Sequence, residues 1–211
     1  MTVLDRIAYF QNRRDEVPNQ ELARDLAARK DRKGIREIAE NLWNREKNIQ
    51  SDCLKVLYEI GYLAPELIAE YVNDFLKLLH SKNNRMVWGC MIALSTISNL
   101  KADVLFPHVD LIKKIMDEGT IITTDAGTKT LAGIALKNSS YSSAIFPYLL
   151  IRLKTCRPID VARHAEQILI TVNSSNKSQY IKALEKRMED LSGSGLARVK
   201  KAIKQAAARD S

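Results

Sequence analysis

The sequence predicts an all-α protein built as a solenoid, an array of stacked helical pairs, and three observations predict it. A short apolar stripe returns as Cys53-x3-Leu57-x2-Ile60, Cys90-x3-Leu94-x2-Ile97, Gly127-x3-Leu131-x2-Ile134, Ala165-x3-Leu169-x2-Val172 and Val199-x3-Ile203-x2-Ala206, at offsets of 37, 37, 38 and 34 residues. Spacing of i, i+4, i+7 places each stripe on one face of a helix. A second apolar series lies between the copies and repeats in step: at the same offset of 37, Leu67 falls on Val104, Val72 on Val109 and Phe75 on Ile112. Strand signals are almost lacking. The β-branched run at residues 119–124 stands where a helix has to begin, and is read as its start. Repetition at this period means units that bury their apolar faces against their neighbours.

In chain order, Leu4, Ile7, Ala8 and Phe10 suggest a short opening helix. A charged break at residues 11–16 closes at Pro18. Helices are predicted at residues 20–30 and 33–43, the second partnering the first stripe, with Trp43 in the core. The intervening series is predicted at residues 65–79, 103–116, 142–156 and 178–191. Pro65 suits a first helical turn, where its missing N–H costs nothing. Asn83, Asp103, Asp160 and Ser194 stand where N-caps are expected. Residues 81–84, 137–140 and 173–176 are polar turns. Pro107 and Pro147 fall near the first turn of two equivalent helices, or bend them if they lie deeper. The whole chain, residues 1–211, reads as one continuous array, with residues 1–30 as an N-terminal cap and residues 32–208 as repeats.

Composition narrows the function classes. At 45% hydrophobic and 27% charged residues the chain is ordinary globular material with ample apolar content for a core. No apolar run approaches the roughly 20 residues that span a bilayer, and the charged opening from Met1 to Arg6 is not a secretory signal. Three cysteines make no disulfide framework, and Cys53 and Cys90 share one core position of successive repeats. The expected compartment is cytoplasmic. The net charge of +8 is uneven, because residues 150–211 hold 13 Lys and Arg against 6 Asp and Glu. Such an excess favours anionic partners or forms a solvated cap on the last repeat.

Helical pairs with this spacing resemble HEAT or armadillo-like repeats across residues 32–208. The resemblance implies a right-handed α–α superhelix of about five helical pairs, with the second helix of each pair on the concave side. Counting from the first stripe residue, positions −2, +2 and +5 then point away from the stripe. The +2 column holds Lys55, Ile92, Lys129, Gln167 and Lys201, the −2 column includes Trp88, Asp125 and Arg163, and the +5 column runs from Tyr58 to Lys204. Lys55, Lys129 and Lys201 are expected along one curved wall at intervals of very roughly 20 Å. Trp88, flanked by Arg85 and Ile92, is either an interface anchor or packed against the next pair.

A further resemblance concerns Leu42-Trp43-Asn44-Arg45-Glu46, which is similar to a segment of the HEAT-type alkylpurine DNA glycosylases. That family carries a Trp and an Asp four residues apart on a concave helix. Trp88 matches the Trp, but the position four residues later is Ile92, which cannot stabilise positive charge on a base or sugar.

Other chemistry is sparse. His80, His108 and His164 are scattered, no Cys pair has zinc spacing, and no nucleophile has a base at recognisable spacing. Gly193-Ser194-Gly195 lacks the strand and the Lys of a phosphate loop. No catalytic, cofactor-binding or metal-ligating residue is therefore expected. The sequence points to a non-catalytic scaffold that holds a macromolecular partner, a protein first, on its concave face. The alternative is a nucleic-acid-binding solenoid that contacts phosphates. Lys55, Arg85, Trp88, Lys129, Arg163, Lys201 and Lys204 are the candidate partner-binding residues.

Overall fold

The computed structural model describes residues 2–209, so both ends of the expected 1–211 unit, Met1 included, lie outside it. Its helices are α1 (Val17–Arg29), α2 (Arg32–Glu40), α3 (Lys47–Leu63), α4 (Val72–Leu78), α5 (Asn84–Ile97), α6 (Ala102–Leu105), α7 (Val109–Glu118), α8 (Ile121–Ala135), α9 (Ser139–Thr155), α10 (Pro158–Leu169), α11 (Lys177–Arg187) and α12 (Gly193–Ala207). Short 3-10 turns join several of them, and no strand occurs among the described residues.

The stripes fall on α3, α5, α8, α10 and α12, or within three residues of their C-terminal ends. Their residues form the core: Cys53, Leu57, Ile60, Cys90, Leu94, Ile97, Leu131, Ile134, Ala165 and Val199 are all fully buried. Only Ile203, on the last helix, is partly open. Consecutive stripe helices pack on one another in the order α3, α5, α8, α10, α12, and α1 packs on α3. The cap therefore supplies one more helix to the same layer. The intervening helices α2, α4, α7, α9 and α11 form a second layer, each packed on the stripe helix that follows it in sequence. The stripe helices pack closely from one to the next, whereas among the outer helices α2, α4 and α7 meet one another marginally at most and α9 and α11 pack together. In a curved two-layer array the closely packed layer follows the shorter arc, so the stripe helices form the inner wall. This is the architecture of an armadillo/HEAT-like solenoid.

Several details depart from the sequence reading. The opening helix is a 3-10 turn, Val3–Arg6, which leaves Ile7 and Ala8 buried but Tyr9 and Phe10 exposed. The outer helix expected at 65–79 is two 3-10 turns, Pro65–Leu67 and Ala69–Tyr71, followed by α4. Pro107 breaks its helix into a 3-10 turn, Phe106–His108, because a proline ring removes an N–H and crowds the preceding turn. Pro147 instead sits inside α9, which continues through it. Asn83 caps α5, accepting from the Arg85 N–H at 3.0 Å. Asp103, Asp160 and Ser194 lie inside their helices, which are capped by Lys101, Arg157 and Ser192. Trp43 is not core. It ends the 3-10 turn Asn41–Trp43, is 51% exposed, and donates from Nε1 to Asp74 at 3.2 Å.

The tightest inner-layer contact is between α5 and α8, where Gly133 faces Ser98. A Cβ at Gly133 would meet the Ser98 side chain, with Ser98 Cβ only 2.9 Å away. Overpacking of this kind costs about 1–3 kcal/mol. Gly133→Val is accordingly expected to lower the thermal midpoint by about 2–12 °C, since each kcal/mol moves a chain of this size by about 2–4 °C. A thermal melt followed by circular dichroism checks it.

Candidate partner-binding face

The candidate residues stand on the stripe helices themselves, off the stripe positions. At the centre of the inner wall lies a cluster built by three consecutive helices. Tyr58 and Tyr62 stand one turn apart on α3, their rings 6.2 Å apart edge to face. Trp88 of α5 leans on Tyr58 at 6.4 Å between centroids. Lys129 of α8 reaches over the Tyr62 ring, with Nζ 5.5 Å from its centroid. Tyr58 is buried, Trp88 and Ile92 are half-buried, and Tyr62 is 53% exposed. Trp88 thus packs against the preceding repeat through Tyr58 and is half-buried. Ile92, a turn beyond Trp88, leaves the carboxylate position of the glycosylase resemblance apolar.

The expected lysine wall is interrupted at its first member. Lys55 is 7% exposed, not solvated. Its Nζ is held by Glu16 at 2.8 Å and by Glu59 at 2.7 Å, and it lies 4.8 Å from the Tyr58 centroid. Burial works to lower its pKa, but the two carboxylates outweigh burial and raise it above the ordinary lysine value. The cause of the correction is local: Glu59 is i+4 to Lys55, and the turn before α1 brings Glu16 against α3. Arg85, half exposed, shares Glu16 at 3.3 Å. Arg163 is likewise engaged, with Asp125 at 2.9 Å and Asp160 at 2.6 Å. Lys129, Lys201 and Lys204 are exposed, and none has a carboxylate within ion-pair distance among the described residues. The structure thus groups Lys55, Arg85, Trp88 and Lys129 on α3, α5 and α8, and places Lys201 and Lys204 apart on the terminal helix. Tyr58 and Tyr62 complete the cluster. Sequence reasoning had Tyr58 in the +5 column but passed over Tyr62, although 55, 58 and 62 have the i, i+3, i+7 spacing of one helix face.

A second polar group lies further along the wall, between α8 and α10. His164 is 2% exposed, and its Nε2 is 2.8 Å from Asp125 Oδ1. Burial works to lower its pKa, but the Asp125 carboxylate, with the Cys156 thiol beside the ring, pushes it up to about 9. Asp125, Cys156 and His164 line a cleft of about 230 Å³ with Thr124, Arg157 and Asp160. Scattered in sequence, these groups are brought together only by the stacking of repeats. No cluster of three or more His, Cys, Asp or Glu side chains suited to a metal ion occurs among the described residues.

No protein-family model matches the chain, and no curated protein matches it. Solved structures do. An engineered protein from the Northeast Structural Genomics Consortium is 21% identical, with a TM-score of 0.66, covering 98% of this chain and 95% of that one. A designed armadillo repeat protein is 12% identical with a TM-score of 0.65, covering 97% and 98%. Another designed armadillo repeat protein, in complex with the peptide (KR)4, is 14% identical with a TM-score of 0.66, covering 89% and 85%. At these identities the likeness is one of fold: the chain is an armadillo-like helical-repeat solenoid. No helix among the described residues is long and apolar enough to cross a membrane.

The His164–Asp125 pair has a consequence for stability. A histidine whose folded pKa is raised from 6.5 to about 9 stabilises the fold fully below pH 6.5 and loses that contribution as pH rises to about 9. Wild-type stability is expected to fall by roughly 3 kcal/mol over this window. His164→Gln should be less stable at pH 6 and show a flatter profile. Urea midpoints at pH 6, 7.5 and 9 measure the difference.

Proposed function

We propose that this chain is a non-catalytic repeat scaffold that holds an extended segment of a protein partner along its inner wall. The observation that carries this reading is the cluster of Tyr58, Tyr62, Trp88 and Lys129, contributed by three consecutive stripe helices. Half-buried aromatics beside an uncompensated cation have the composition of an interface centre, where Trp and Tyr supply most of the binding energy. The rigid packing of the layer beneath them holds these side chains in place before a partner arrives, which lowers the entropic cost of binding. That a designed armadillo repeat protein of the same fold is solved with a peptide bound supports the reading. The neutralised state of Lys55, Arg85 and Arg163 counts against a phosphate track along the whole wall, because each already has a carboxylate partner.

Selection of peptides from a random library on the folded chain, followed by titration of the best binders, tests the proposal. Trp88→Ala is expected to weaken them at least about tenfold, the range of an interface hot spot. Tyr62→Ala and Lys129→Ala should act in the same direction. Peptides indifferent to all three variants would place the binding face elsewhere. Duplex DNA provides the opposing arm: tight binding that falls steeply with salt, and that Lys201→Glu with Lys204→Glu abolishes, would replace the protein partner with nucleic acid.

A further inference from the structure

The three cysteines differ sharply in setting. Cys53 and Cys90 are fully buried in the stripe, and burial pushes the Cys53 thiol up to about 12 and raises that of Cys90 likewise. Cys156 is different. It follows the last turn of α9, is partly open, and lines the 230 Å³ cleft between α8 and α10. Its backbone is fixed, because Arg187 of α11 donates to the carbonyls of Leu153 and Lys154, both at 3.0 Å, and of Cys156 at 2.9 Å. The thiol donates to the Leu153 carbonyl at 3.6 Å, and His164, buried, lines the same cleft with Nε2 held by Asp125 and Nδ1 lacking a hydrogen-bond partner. A buried ring nitrogen with no partner, on the wall of an open cleft that also holds a thiol, is a costly feature unless something there uses it.

We propose that Cys156 is a covalent modification site that exchanges with small anionic disulfides, with His164 holding the attacking sulfur and Asp125 orienting the imidazole. This inference does not rest on the partner-binding reading. In the exchange, the Cys156 sulfur attacks one sulfur of the disulfide. A new S–S bond forms as the old one breaks, and the departing thiolate carries away the electron pair. The thiol proton passes to solvent, since the imidazole paired with Asp125 already carries its own at neutral pH. A protonated imidazole beside the sulfur stabilises the anion that attacks. Around the cleft, Arg152, Arg157, Arg163, Arg187 and the imidazolium outnumber the carboxylates of Asp117, Asp125, Asp160 and Asp190 by one. The local excess of positive charge selects an anionic reagent.

The test uses the full folded chain with 5,5′-dithiobis(2-nitrobenzoate), an anionic disulfide, and follows release of the nitrothiobenzoate. The folded protein is expected to release about one equivalent in a fast phase, at least about tenfold faster than the unfolded chain at the same pH. Cys156→Ser should lack that phase. His164→Gln and Asp125→Asn should each slow it about tenfold, more at pH 6 than at pH 8. A His164→Gln chain that had lost its fold would betray itself by releasing all three thiols, and Asp125→Asn would then decide. A fast phase missing from the wild type, or unchanged in Asp125→Asn, overturns the proposal. Cystamine, a cationic disulfide, should react with Cys156 more slowly relative to its rate with free glutathione; an equal ratio for the two reagents refutes the anion preference.

Discussion

The structure depends on one constraint, the requirement that every stripe helix bury its apolar face against the next stripe helix at close range. Cys53, Cys90 and Ala165 hold the first stripe position with small side chains, and Gly127 holds it with none. Gly133 and Gly61 lie where neighbouring side chains leave no room for a Cβ. Close approach in this layer, set against the marginal contacts among α2, α4 and α7, favours curvature with the stripe helices inside. It also fixes which residues share the inner wall. A column read from the sequence becomes a row of neighbours only because the helices beneath it are locked in register.

The same register decides which charges are free. Inside the array each stripe helix has a neighbour on both sides, and the neighbours supply counter-ions: Glu16 to Lys55 and Arg85, Asp125 to Arg163 and His164, and Glu166 to Arg198. On α12, among the described residues, Lys201 and Lys204 stay exposed without an ion-pair partner, whereas Arg198 is paired with Glu166 of α10.

The fold was legible in the sequence because a solenoid writes its period directly into apolar spacing. Stripes at 37-residue intervals survive even where the outer helices fragment, since a 3-10 turn such as Phe106–His108 leaves the burial of Val109 and Ile112 intact. Local chemistry was legible where it obeyed helix geometry, as with Asn83 at an N-cap. Where contact depended on two or more separated segments, the sequence was mute. Glu16 meets Lys55 across 39 positions, and Asp125 meets His164 across the same distance. Trp43 was misplaced because a 3-10 turn rotates side chains by more than a continued α-helix would, turning the indole outward to Asp74.

These two kinds of contact also separate a prepared binding face from a merely wet one. Lysines on a solvated helix face extend into water and gain nothing from their neighbours. Lys129 does not do this: its ammonium lies over Tyr62, whose own edge meets Tyr58, which in turn supports Trp88. Each contact passes to the next side chain, one of them crossing to the next repeat and one spanning two, so the group is held as a unit by the packed layer below. A partially exposed aromatic held this way keeps apolar surface in water with little freedom left to lose. Burying that surface beneath a partner recovers hydrophobic free energy at about 25 cal/mol per Å² with a small entropic offset. A charged residue held by two carboxylates, as Lys55 is, has no comparable gain to offer an anion, because the incoming group would have to displace partners already in place. On the proposed reading, recognition on this wall starts from the aromatic centre, and the cations at its edges set orientation.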